Sequence, residues 1–189
     1  MRISIVVVLF FFGVACSDNY TPKPRAFFKF DLPAKEYNKI VVECNFSFEK
    51  PIYSILKKIN QDCFYNLDFF DYNGILHITY LPLKDNLLEH IEESRTLAYK
   101  HDIMANAISE SVYINDEYKV YGLLYDYEGS TATATQFYLT DSINHFFRAA
   151  LYFNTEVTDS LLPINNFIKD DIKHIIETFK WEKQQEFTE

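Results

Sequence analysis

Residues 145–153, HFFRAALYF, constrain the fold more than any other stretch. In an extended chain Phe147, Ala149, Leu151 and Phe153 share one side, and Phe146, Arg148, Ala150 and Tyr152 share the other. Both sides are apolar except at Arg148, and a strand of this kind needs cover on both faces. The run therefore asks for a layered domain in which it is a central strand. Arg148 then has two readings: a guanidinium paired to a carboxylate, or one that opens into a cleft.

The flanking patterns supply the layers. AFFKFDLP (26–33) and KIVVECNFSFEKP (39–51) are aromatic and β-branched runs ended by Pro33 and Pro51, and they read as strands. CFYNLDFF and ILHITYL read as two more, joined by DYNG as a hairpin because Asn73-Gly74 accepts positive φ. His77 falls on the polar side of the second. YKVYGLLYDY, TATATQFYL and HFFRAALYF form a meander, turning at Glu128-Gly129 and again at TDSINH. A helix is expected over NLLEHIEESRTLAYKHDIMANA (86–107), capped by Asp85, with Leu87, Ile91, Ser94, Ala98, His101 and Ala105 on one stripe. A second helix is expected over LPINNFIKDDIKHIIETFKW, where Pro163 suits the first turn and Ile164, Phe167, Ile168, Ile172, Ile175, Ile176 and Phe179 trace an apolar face. The class is α+β: one layered domain, mostly antiparallel, packed by two main helices, and similar in layout alone to the PsbP-like α/β/α sandwich.

The N-terminus reads separately. Met1-Arg2 is a positive end, residues 3–15 are apolar, and Gly13 and Ala15 lead into Cys16. The run is too short for a transmembrane helix, which takes about 20 residues, and has the form of a secretory signal peptide. Small residues directly before a cysteine resemble the bacterial lipobox, in which the thiol is acylated and the leader removed. The expected organisation is thus a signal peptide over 1–15, a lipidated tether over 16–25 and one α+β domain over 26–189. Pro22 and Pro24 favour an extended tether.

Charge and cysteines bound the partners. A net charge of −9 repels nucleic-acid phosphates and gains nothing from anionic lipid, so membrane attachment must come from the acyl chains and not from a basic face. With Cys16 assigned to lipid, Cys44 and Cys63 remain. They are readable as a disulfide in an exported domain, as two buried thiols or as a redox pair, although the last lacks a C-x-x-C spacing. No G-x-S-x-G, P-loop, G-x-G-x-x-G, H-E-x-x-H or EF-hand pattern occurs, so no cofactor or metal is expected and a non-enzymatic role is favoured. The competing expectation is a periplasmic ligand-binding or hydrolytic domain with a pocket around Ser94, His101 and Arg148.

Four segments taken together carry a resemblance: CSDNYTPKPRAFFKFDLP, NFSFEKP with Cys44 and Cys63, ESRTLAYKH, and HFFRAALYFN followed by the C-terminal helix. From Cys16 to about Trp181 the chain resembles the gliding-motility lipoprotein GldD family of the Bacteroidetes, with Ala149 standing where the family's block is expected to carry Gly. The resemblance implies a lipid-anchored envelope component facing the periplasm, required for gliding in organisms that use type IX secretion. Its partners would be other gliding or secretion proteins of the envelope. It carries over Cys16 as the lipid site and Cys44 with Cys63 as the bridge, and no catalytic residue. A scaffold or stabilising subunit is the expected role, docking through the SRTLAYKH helix, which includes Arg95, or through the tether, where Lys23 and Arg25 stand out in an acidic protein.

Overall fold

The computed structural model describes residues 31–59, 62–100, 107–128, 133–155 and 161–183. The elements are β1 (Tyr37–Val42), β2 (Phe46–Pro51), β3 (Ile55–Lys58), β4 (Phe64–Phe69), β5 (Gly74–Pro82), α1 (Leu87–Tyr99), β6 (Ala107–Asn115), β7 (Val120–Glu128), β8 (Thr133–Thr140), β9 (His145–Phe153), α2 (Leu162–Thr178) and β10 (Lys180–Trp181). They build a seven-stranded sheet in the order β3-β4-β5-β9-β8-β7-β6 and a three-stranded sheet in the order β1-β2-β10. All pairings are antiparallel. The α+β sandwich expected from the sequence is present.

β9 lies between β5 and β8. Its Phe147, Ala149, Leu151 and Phe153 stand opposite Tyr80, Ile78, Leu76 and Gly74 of β5, so one face of the large sheet becomes a continuous apolar surface. α2 and the small sheet cover that face, contributing Ile164, Ile168, Ile172, Ile175, Ile176, Phe46, Phe48 and Phe179 to one core. Ala149 is buried between Ile78 and Phe137 on this surface. The opposite face is covered by α1, whose small residues Ser94 and Ala98 are buried against it. There Ala98 packs with Tyr125 and Tyr127, His90 stacks on Phe146 with ring centroids 5.3 Å apart, and the Tyr127 hydroxyl donates to the Ala98 carbonyl at 3.0 Å.

Several boundaries differ from the sequence reading. KIVVECNFSFEKP is two strands: Asn45 takes φ 65 and folds β1 back on β2, a conformation that asparagine tolerates better than most side chains. Asp31–Pro33 form no strand, and the rest of AFFKF lies outside the described residues. The N-cap of α1 is Asn86 and not Asp85, and its side chain accepts no capping hydrogen bond; its amide meets the Lys84 N–H and the His90 ring instead. α1 ends at Tyr99, and the residues from Ala107 belong to β6, an edge strand. The second helix stops at Thr178, after which Phe179 turns extended and Lys180-Trp181 join β2. The DYNG hairpin is present, with left-handed Asn73 (φ 51) closing it. Gly74 serves packing, since a Cβ there would meet the Phe153 ring at 3.1 Å and Ile168 at 3.4 Å.

Phe46 is the junction of the layers. It is 1% exposed, and its ring contacts those of Phe48, Tyr65, Tyr80, Phe147 and Phe179, taken from both sheets and the end of α2. Phe46→Ala is expected to lower unfolding free energy by about 3–5 kcal/mol through lost transfer energy and an uncollapsed cavity, measured as a shifted midpoint in urea with unchanged slope.

Candidate functional site

The most elaborate polar cluster sits where the chain enters the fold. Asp171 lies on the inward side of α2 and is fully buried. Such a carboxylate needs both charge compensation and hydrogen bonds, and three groups from the N-terminal part of the domain provide them. Lys35 approaches Oδ1 at 2.6 Å, the Tyr37 hydroxyl donates to Oδ1 at 2.9 Å, and the Tyr53 hydroxyl donates to Oδ2. The Lys35 ammonium also sits 3.4 Å above the Phe167 ring and donates to the Phe167 carbonyl. Burial, and then the hydrogen bonds to Asp171, push the Tyr37 and Tyr53 phenols far up, which keeps both as donors. One turn along α2, His174 stacks on Tyr37 at 3.7 Å and meets Glu49 at 2.8 Å.

One residue of this clasp is conspicuous in the sequence. Asp171 falls three residues after Ile168 and four before Ile175, a charged residue on the apolar stripe. Lys35 and Tyr37 gave no comparable sign, because only the fold brings the start of β1 to the helix.

Cys44 and Cys63 form a disulfide with Cα atoms 5.9 Å apart. Cys44 follows β1 and Cys63 precedes β4, so the bridge ties the small sheet to the large one.

The residues expected around a pocket are arranged differently. Arg148 lies in the layer under α1, between Thr79 and Tyr138 on the neighbouring strands. Its Nη2 donates to the Gln136 carbonyl oxygen at 2.6 Å, so its hydrogen-bond partner among the described residues is an amide where a carboxylate was one of the two expectations. Burial lowers its pKa, with Tyr152 and Glu93 acting electrostatically in the other direction. Ser94 is buried on α1, and no hydrogen bond joins it to Arg148. Arg95 is exposed on the outer side of the helix, with its guanidinium 5.9 Å from the Tyr99 ring centre. His77 faces away from the main core and bonds Asn66 at 2.8 Å. Cys16, Lys23, Arg25 and His101 lie outside the described residues. Among the described residues no group of three or more His, Cys, Asp or Glu side chains is placed to hold a metal ion.

Comparison with known families decides the context. The model of the family "Gliding motility lipoprotein GldD" matches residues 17–181, a span that takes in both sheets and both helices. The chain belongs to the GldD gliding-motility lipoprotein family. No curated protein matches it. GldD membership makes this a gliding-motility lipoprotein, a lipid-anchored protein of the cell envelope. No helix among the described residues is long and apolar enough to cross a membrane.

Two outcomes test the site. Asp171→Ala leaves the Lys35 charge and two phenols without their acceptor and is expected to cost about 3 kcal/mol. Lys35→Ala removes the charge compensation of a fully buried carboxylate that the phenols do not replace, and should cost a comparable amount, about 3 kcal/mol; urea unfolding of both variants measures it. Replacing Cys44 and Cys63 by serine should cost about 3 kcal/mol for the 19-residue separation, read in the same assay against the oxidised parent.

Proposed function

We propose that this chain is a scaffold or stabilising subunit of the gliding machinery, held to the membrane by acyl chains on Cys16 and facing the periplasm. Residues 1–15 are the signal peptide removed on export, and residues 16–25 are the tether. The organism is one of the Bacteroidetes that use type IX secretion, and the partners are other gliding or secretion proteins of the envelope. The observation that carries this reading is the family match over the whole described fold.

The clasp supports it physically. Tension on a tether would reach the domain through β1, six residues paired only to β2 at the edge of the small sheet. An edge strand loaded at its end is easily peeled, one pair at a time. Lys35, Tyr37 and Tyr53 transfer that load to Asp171 and hence to α2, which is buried in the main core. Three acyl chains, each contributing about 0.8 kcal/mol per buried methylene, give a stable attachment. Confinement to a membrane raises the effective concentration for envelope partners, so modest contacts suffice. The outer side of α1 around Arg95, and Lys23 and Arg25 of the tether, are the docking surfaces.

Deletion of the gene in its host is expected to stop cell translocation on agar and glass. Complementation with Cys16→Ala should fail and leave the product out of the membrane fraction, and Asp171→Ala should restore motility incompletely. Unchanged translocation in the deletion strain, with surface adhesins exported as before, would refute the assignment.

A further inference from the structure

At the end of the small sheet away from the clasp, three turns border an open cleft of about 480 Å³, within the range of small-ligand sites. Asn45 from the β1–β2 turn, Tyr118 and Lys119 from the β6–β7 turn, His145 at the start of β9, and Trp181 and Lys183 after α2 line it. The aromatic part is held in place: Trp181 stacks on His145 with centroids 5.0 Å apart and donates its indole N–H to the Lys119 carbonyl at 3.1 Å. Lys180 covers the Tyr118 ring at 3.9 Å.

The polar groups are sorted between structure and cleft. Asp141 also lines the cleft, but its Oδ1 is taken by the backbone N–H groups of Ile143, Asn144 and His145. Glu182 Oε1 accepts from Ser47 and Lys39. The Tyr80 hydroxyl bonds His145 Nδ1 at 2.7 Å, which engages that side of the imidazole. The lining residues Lys119, Lys183 and Asn45 carry a mixed set of donor and acceptor groups for a ligand. Two lysines balance the two carboxylates, so the cleft has no strong preference for an anion.

The backbone adds an independent observation. Asn45 (φ 65) and Lys119 (φ 49) are left-handed, a conformation glycine adopts without strain. At both positions a residue other than glycine stands, and both residues line the cleft.

We propose that this cleft binds a saccharide. A sugar ring presents a C–H face to an aromatic wall and hydroxyls that both give and accept hydrogen bonds, which is the combination of Trp181 and Tyr118 with Lys119, Lys183, His145 and Asn45. A phosphate would meet Asp141 and Glu182, and a purely apolar ligand would strand the lysines and the amide. The proposal does not depend on the motility reading.

Trp181 is the only tryptophan of the chain, so emission excited at the red edge, where tyrosine does not absorb, reports on the cleft. The full chain, purified in a detergent without sugar headgroups, is titrated with tri-N-acetylchitotriose, which represents the N-acetylated glycan of the cell wall, and with a lipid-free oligosaccharide released from lipopolysaccharide. A saturable change in emission is expected with at least one, and which one responds identifies the source. Lys119→Gly should fold and melt no earlier than the parent yet bind about tenfold more weakly, as for loss of one hydrogen bond to a charged group. Tyr118→Ala should weaken binding independently. An emission spectrum unmoved by both glycans, or a response that both variants keep in full, overturns the proposal.

Discussion

Burial of β9 on both faces organises this domain. A strand whose two sides are both apolar has to sit in the middle of a sheet with a layer above and another below, and the remaining elements occupy those positions. The face carrying Phe147 and Leu151 takes α2 and the small sheet, where the large side chains of Phe46 and Phe179 fill the volume. The face carrying Phe146 and Ala150 takes α1, whose Ser94 and Ala98 allow a close approach. Bulk and its absence are thus distributed by layer.

The small sheet is the vulnerable part of this arrangement. With β10 only two residues long and β1 at its other edge, its backbone pairing alone is a weak hold. Side chains compensate at both ends: the clasp on Asp171 at the start of β1, and the disulfide from Cys44 to Cys63 just after it. A fully buried carboxylate does not by itself add stability relative to a well-packed apolar side chain. Its effect is directional, since it specifies that the segment containing Lys35 and Tyr37 docks on α2 and nowhere else on an apolar surface that would accept many registers.

The sequence made visible what depends on hydrophobic period. The two faces of β9 and the apolar stripe of α2 are legible because each is buried over most of its length. β6 is not legible for the opposite reason: AISESVYIN is an edge strand with most side chains exposed, so no period marks it, and small residues at helical spacing extend the helix expected from sequence past Tyr99. β10 exists only because Phe179 must be buried and β2 offers an open edge, a tertiary cause. The clasp and the cleft share that character. Asp171 was conspicuous on its stripe, but its partners lie more than a hundred residues away in the chain. Left-handed Lys119 and Ser142 are invisible in a sequence that lacks glycine at those turns.

The two polar features lie at opposite poles. The clasp gathers where Tyr37 pairs with Pro51, whereas the cleft opens where Val42 pairs with Phe46; six residues of strand separate these ends by about 20 Å. The large sheet has the same polarity, since Tyr72 beside Gly74 packs with Tyr53 and Phe167 near the clasp, and Pro82 pairs with His145 at the cleft. Lys35 and Tyr37, near the start of the described chain, lie at the clasp pole, so under the proposed lipidation of Cys16 the anchor acts on that pole and the cleft pole faces away from the bilayer. The acidic surface gains no competing attraction to anionic headgroups. In that proposal orientation follows from where the chain enters the fold, and the clasp, by fixing that entry on α2, sets which pole is presented to the rest of the envelope.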